Sequence, residues 1–252
     1  MTVTSSTRRP GVTDNELALE LRGVNAGYGA TPVLRDVTIE VPPSRVVALL
    51  GPNGAGKTTT LRVASGLLRP TGGAVVVGGQ EVNRTSPARR ARLGVCLIPE
   101  GRGIFRSLTV RENLELLIPP WQKGANIDAA VEAFPVLGKK LRQAAGSMSG
   151  GEQQMLALSR AFLSAPKVVL LDEVSMGLAP VIVDQIFESL RALAATGVSI
   201  VLVEQYVNRA LEMADTAYLM ARGGIAWTGP AAGLDTDALT KAYLGHSDDI
   251  PV

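Results

Sequence analysis

The chain of 252 residues has one cysteine, Cys96, and one histidine, His246, close to its end. A lone thiol excludes an internal disulfide and a Cys-based zinc site. A lone imidazole so near the terminus excludes a Ser-His-Asp centre in the body of the chain and any multi-His metal site. Net charge is also scarce. The 25 Lys and Arg stand against 23 Asp and Glu, leaving +2, too little for a protein whose main affinity is for nucleic-acid phosphates. No uninterrupted apolar run approaches the ~18–20 residues needed to span a bilayer. The densest runs, Val46 to Leu50 and Val198 to Val203, have the length of strands. Residues 1–15 carry Arg8 and Arg9 with no apolar segment after them, so they read as a flexible leader rather than a signal peptide or anchor. A soluble, cytoplasmic protein is expected, and the rarity of cysteine fits a reducing compartment.

What is present is glycine, 27 residues, and 46% hydrophobic residues, without a repeat or a low-complexity tract. The length suffices for one large α/β domain, which we place over residues 16–252. Leu17 to Leu21 and Val37 to Val41 alternate with period two, as strands with one buried face do. Val46 to Leu50, Val168 to Leu171 and Val198 to Val203 are continuously apolar, which suits central strands of a parallel sheet covered on both faces. Helical patterns lie between them at Lys57 to Leu68, Gly150 to Leu163 and Val181 to Leu193. The last places Val183, Ile186, Phe187 and Leu190 on one face. The stretch from Arg102 to Ala145 has no central-strand run. Thr109 to Glu112 fits a capping box that opens a helix ended by Pro119-Pro120, and a second helix is expected over Ile127 to Ala133. A hairpin is expected where Ala217 to Met220 and Ile225 to Thr228 flank Arg222-Gly223-Gly224.

The chemistry sits at the ends of these runs. Gly51-Pro52-Asn53-Gly54-Ala55-Gly56-Lys57-Thr58 matches the phosphate-loop pattern G-x-x-x-x-G-K-[ST] between a buried-type strand and a helix. Its glycines let consecutive N–H groups and the helix start face an anion. Lys57 adds charge near the β- and γ-phosphates, and the Thr58 hydroxyl suits Mg²⁺. Thr59 follows in the same helix turn. The run Val168 to Leu171 ends in Asp172-Glu173: an Asp to hold Mg²⁺ through water, and a Glu able to take a proton from an attacking water. Ser149 and Glu152, in Met148-Ser149-Gly150-Gly151-Glu152-Gln153-Gln154, form an S-x-x-E capping box at the start of another helix.

With these residues in this order, the chain resembles the ATP-binding subunits of ABC transporters over about residues 17 to 245. Residues 148–154 resemble that family's L-S-G-G-Q signature, which closes the ATP of a neighbouring subunit. The resemblance implies an α/β phosphate-loop fold: a mainly parallel central sheet, an antiparallel N-terminal β subdomain, and a helical subdomain inserted at about 101–160. It further implies ATP and Mg²⁺ as cofactors and Tyr28 stacked on adenine. Glu100 falls where most members have a glutamine and Gln205 where most have a switch histidine, so Glu100 is assigned to nucleotide and metal and Gln205 to the reacting end. Ala179 stands where Asp is usual. Pro99 to Arg102, Ser149 to Met155, Gly177 to Pro180, Val203 to Gln205 and Ala242 to Gly245 together resemble the branched-chain amino acid uptake subgroup (the Liv type). Importers of urea, short amides and aromatic acids share those motifs. The implied partners are a second ATPase subunit, two transmembrane permease subunits and an external solute-binding protein, with the chain on the inner face of the membrane. In such proteins the region from Gly101 to Ala145 receives a membrane subunit. Phe105, Leu114, Leu116 and Leu117 either line that groove or pack inside the helical arm.

Two other readings meet specific objections. Soluble relatives acting on DNA carry a long coiled coil between the two halves of the site. Here only 92 positions separate Lys57 from Ser149, without sustained heptads. Relatives acting on the ribosome carry two cassettes per chain, and this chain has one. A GTPase would need N-K-x-D, yet no lysine here follows an asparagine. A small-molecule kinase would leave residues 148–154 without a purpose.

Overall fold

The computed structural model describes residues 17–234. The expected leader, the Ala242 to Gly245 segment and His246 lie outside the described residues. The chain begins with a hairpin, β1 (Leu19–Tyr28) and β2 (Thr31–Val41), closed by the pair Tyr28↔Thr31. The strands are longer than period-two alternation suggested, because shifts of register after Leu21 and Val24 break the alternation without ending the pairing. Next come β3 (Val46–Leu50), the phosphate loop and α1 (Lys57–Ser65), then β4 (Gly72–Val77), β5 (Gln80–Glu81), α2 (Pro87–Arg92) and β6 (Val95–Ile98). A helical insertion follows: α3 (Val110–Leu117), α4 (Asp128–Ala133), α5 (Pro135–Gly138), a 3₁₀ turn and α6 (Gly150–Ser164). The chain returns through β7 (Val168–Asp172), α7 (Pro180–Ala195), β8 (Ser199–Val203), α8 (Val207–Met213), β9 (Thr216–Ala221) and β10 (Gly224–Pro230). No helix among the described residues is long and apolar enough to cross a membrane.

Two sheets result. The order β2-β1-β4-β5 is antiparallel throughout. The order β10-β9-β3-β8-β7-β6 is parallel except at its β10 edge. The continuously apolar strands are central, as expected, and alternate residues feed two cores. Ala48, Leu50, Leu171 and Leu202 point to one core, shared with α6 and α7. Val47, Leu49, Leu170 and Val201 point to the other, shared with α1 and the antiparallel sheet. On α7 the stripe Val183, Ile186, Phe187 and Leu190 is buried, and each such side chain contributes roughly 1.5–3 kcal/mol over exposure.

Helix α1 stops at Ser65, three residues before the expected end. Gly66 takes a left-handed backbone (φ 84°) and its N–H turns back to the Val63 carbonyl at 3.1 Å. The buried Arg90 of α2 supplies two more donors to that terminus, its Nη1 reaching the Val63 and Ala64 carbonyls at 2.6 and 2.9 Å. Both expected capping boxes are present, at Thr109 and Ser149. The hairpin β9–β10 turns on Arg222 (φ 50°) and Gly223 (φ 85°), and two positive φ angles mark the type I′ turn that matches strand twist.

Candidate functional site: a phosphate loop facing two acids

The strand order places the ends of β3, β8 and β7 side by side, so the loops leaving them converge at the carboxyl edge of the sheet. The loop 51–56 leaves β3 tightly. A Cβ on Gly51 would stand 2.4 Å from the Met220 carbonyl oxygen, so only glycine fits there. Gly56 (φ 110°) starts α1 with no side-chain cap, so no side chain competes for the first-turn N–H groups. The β9–β10 turn braces the loop from outside: the Gly223 N–H donates to the Ala55 carbonyl (3.1 Å), and the Gly223 carbonyl accepts from the Arg35 N–H (2.8 Å). Asn53 and Gly54 form the exposed tip, Pro52 is half-buried, and Ala55 and Thr59 are buried.

Lys57 is buried along this loop, and its Nζ donates to the Gly51 and Pro52 carbonyls at 2.7 and 3.1 Å. Burial pushes its ammonium below the usual lysine range, while Glu173 and Asp172 pull it back up. The Thr58 Oγ1 donates to the Asp172 Oδ1 at 3.0 Å, joining the start of α1 to the end of β7. Burial pushes the Asp172 carboxyl above its usual range. The Thr58 bond opposes that rise, and the nearby Glu173 and Glu100 add to it. A hydroxyl and a carboxylate in contact are hard oxygen donors, and they suit Mg²⁺, which keeps several waters and shares phosphate oxygens.

Glu173 has a left-handed backbone (φ 49°), rare for a residue with a side chain, and its N–H donates to the Val203 carbonyl of β8 at 2.9 Å. The Gln205 Nε2, beyond the end of β8, donates to the Glu173 Oε2 at 3.1 Å and touches the Met176 Sδ at 3.5 Å. Lys57, Thr58, Asp172, Glu173 and Gln205 thus meet at one sheet edge. Glu100, exposed in the turn after β6, lies within electrostatic reach of Asp172. Tyr28 ends β1 with its ring half exposed, its Oη accepting from the Arg62 Nη1 of α1 at 3.0 Å.

Ser149, Gly150, Gly151 and Glu152 occupy the separate start of α6. The Glu152 N–H donates to the Ser149 Oγ (3.3 Å) and the Ser149 N–H to the Glu152 Oε2 (3.1 Å). The Lys140 Nζ pairs with the Glu152 Oε1 at 2.7 Å, and this bond, ahead of the cap itself, holds the Glu152 carboxyl below its usual range. A Cβ on Gly151 would meet the Ile182 Cγ2 at 2.6 Å, so its glycine keeps α6 against α7.

The family model described as ABC transporter matches residues 34–176. The chain belongs to that family. It is 42% identical over 226 residues to the high-affinity branched-chain amino acid transport ATP-binding protein BraG of Pseudomonas aeruginosa, covering 88% of this chain and 97% of that one. It is 33% identical over 227 residues to the lipopolysaccharide export system ATP-binding protein LptB of Haemophilus influenzae, covering 87% and 93%. Among solved structures, one described as the ATP-binding subunit of an ABC transporter superposes with a TM-score of 0.78 at 27% identity, covering 90% of this chain and all of that one. This ABC ATPase is therefore an ATP-binding subunit of a transporter.

Several parts of the cassette's site escaped sequence reasoning. The Ser175 N–H and Oγ both donate to the buried Glu204 carboxylate, the N–H at 3.1 Å. An acid closing a strand-length apolar run, Val198 to Val203, was the available signal. The Arg102 Nη1 donates to the Gln153 Oε1 at 2.6 Å, tying the turn that carries Glu100 to α6. Trp121 carries the Arg92 guanidinium over its ring at 5.3 Å. Leu114 is fully buried in the core, so it does not line a groove. Phe105, Leu116 and Leu117 do border one, a cavity of about 580 Å³ between the Leu67 turn, α2 and the end of α3.

Proposed function

We propose that this chain is the Mg²⁺-dependent ATPase subunit that energises uptake of branched-chain amino acids through separate membrane subunits. One observation carries the hydrolytic part. The Thr58–Asp172 pair at 3.0 Å and the Gln205–Glu173 pair at 3.1 Å stand at neighbouring strand ends, beside the phosphate loop. The N–H groups of the loop from Gly51 to Gly56 and the start of α1 wrap the β- and γ-phosphates, and the Lys57 ammonium leaves its loop carbonyls to meet them. Thr58 and Asp172, with Glu100 nearby, would hold Mg²⁺, which would supply charge neutralisation at the phosphate oxygens. Glu173 takes a proton from a water as its oxygen attacks the γ-phosphorus. The bond from that phosphorus to the β–γ bridging oxygen breaks, and ADP leaves with the electron pair. Gln205 holds the Glu173 carboxylate. It is a neutral amide and cannot become a cation, so its part is orientation. Tyr28 offers its ring face to adenine.

Ser149 and Glu152 bond to each other, and Glu152 to Lys140, rather than to a residue of this cluster, which supports a site closed in trans. Ser149 to Glu152 of one cassette then cover the γ-phosphate held by a second, identical or related, ATPase subunit. The groove bordered by Phe105, Leu116 and Leu117 receives one of two permease subunits, placing the chain on the inner face of the membrane. An external solute-binding protein supplies the solute. The higher identity to BraG than to LptB supports uptake of amino acids over export of a lipid.

Turnover by the assembled transporter tests the roles. Glu173→Gln is expected to lower turnover by about 10²–10⁴-fold, and Gln205→Ala by much less. The assignment fails if Gln205→Ala abolishes turnover while Glu173→Gln keeps most of it. The isolated chain is expected to hydrolyse ATP slowly, and fast turnover by a homodimer would remove the need for a different ATPase partner. Loss of labelled leucine uptake on deleting the chain tests the solute; unchanged uptake with a defect in lipid export would overturn it.

A further inference from the structure

Glu204 is 2% exposed, and no Lys or Arg side chain pairs with it among the described residues. A buried carboxylate without a cation is costly unless several donors satisfy it. Here the donors are the Ser175 N–H, the Ser175 hydroxyl and the backbone N–H of Gln205. They come from the two segments that carry the reacting pair: Ser175 lies just after Glu173, and Gln205 is the partner of Glu173. Glu173 itself sits in a left-handed backbone, a conformation that persists only where its surroundings over-determine it. One anchor is the Glu173 N–H on the Val203 carbonyl. The other is Glu204, which fixes the fully buried Ser175 from below.

We propose that Glu204 is a positioning residue for ATP hydrolysis: it clamps the loop after Glu173 to the end of β8 and so keeps the Glu173 carboxylate aimed against Gln205. The inference rests on the reading of Glu173 as the group that activates water. The clamp touches neither the phosphate loop nor Lys57, so its loss moves the base and leaves the nucleotide in place. A displacement of about 1 Å at a reacting group costs up to ~10²-fold in rate.

The test is ATPase kinetics and nucleotide-binding stoichiometry on the full-length chain, alone and with the subunits that co-purify with it. Glu204→Ala is expected to lower kcat by ~10-fold or more, with KM for ATP within ~2-fold and stoichiometry unchanged. Glu204→Gln, which can still accept from the Ser175 N–H and exchange a hydrogen bond with its hydroxyl, recovers most of that loss. Ser175→Ala removes one oxygen and lowers kcat by a few-fold. The double variant is no worse than Glu204→Ala, because both cut one link. The proposal is overturned if folded Glu204→Ala keeps its kcat, if KM or stoichiometry changes in step with the rate, or if the two losses multiply. Should Glu204→Ala fail to fold, Ser175→Ala decides: an unchanged kcat sinks the clamp. Glu173→Gln, run alongside, separates the two levels. If it retains turnover, the reading of Glu173 fails. If it alone loses turnover, only the clamp fails.

Discussion

Gly56 starts α1 with a left-handed backbone and no side-chain cap, whereas Ser149 starts α6 with a full capping box. Both helix starts are proposed to face ATP phosphates, yet they are supported differently. The loop before α1 is held by the rest of the molecule: Gly223 on Ala55, the Met220 carbonyl packed against Gly51, and Thr58 on Asp172. Its first N–H groups are therefore left to a ligand, which the surrounding protein can afford to do only where the backbone is fixed. The start of α6 satisfies itself through Ser149 and Glu152, and its anchors, Lys140 and Arg102, lie at the surface of the arm or close to it. The first arrangement can hold a ligand within one chain. The second can be presented to a ligand held elsewhere.

The largest expected effect breaks the support of α1. A Cβ on Gly223 would stand 2.0 Å from the Val33 carbonyl oxygen, on a backbone with φ 85°. Gly223→Ala should cost about 3 kcal/mol or more in urea unfolding and weaken ATP binding, although residue 223 is remote in sequence from the loop. Next is Lys57→Ala, which removes a charge-assisted donor worth about 1.5–3 kcal/mol, or about 10–100-fold in ATP affinity by calorimetry. Ser149→Ala should leave the affinity of the chain alone within ~2-fold. Equal losses from both substitutions in the isolated chain would erase the contrast between the two helix starts.

A finer comparison uses the second capping box. Ser149→Ala and Thr109→Ala each delete a cap of the same kind, so each should cost about 1 kcal/mol of stability. Only Ser149→Ala should slow ATP turnover in the assembled transporter. If Thr109→Ala slows it as much, the start of α6 is a helix cap and nothing more.

Much of the site was legible because its signals are local. The phosphate loop, the acids ending β7 and the two capping boxes each lie within about eight consecutive residues. The central strands were legible because burial on both faces demands unbroken apolar runs. The rest depends on contacts between distant segments. Arg90 closes the end of α1 across 27 positions, and its basic neighbours on α2 look like an ordinary solvated face. The hairpin at Arg222-Gly223 was expected as a turn, but its bond to Ala55 follows only from the sheet order that seats β9 beside β3. Glu204 and Ser175 are 29 positions apart. Leu114 and Leu116 are neighbours in one helix with opposite fates, buried and exposed, and the helical period alone does not say which face meets α6.

The smallest expected effect separates the two regions by the sign of a pH dependence. Burial raises the Glu204 carboxyl above the ordinary glutamate value of about 4.5. In the native state it binds its proton more readily than in the unfolded chain, so its contribution to stability is fully present below about pH 4.5 and is lost as pH rises through the raised value. Glu152 is the reverse. Lys140 holds its carboxyl below 4.5, so its contribution is present above that pH and is lost as pH falls through the lowered value. Thermal melts from about pH 6 down to about pH 3 should show Glu204→Gln losing part of the native rise in stability with acid. Lys140→Met should lose part of the native fall, a smaller change because that pair is partly solvated and screened. Slopes that moved the same way in both variants would mean that one of the two acids does not sit in the environment described.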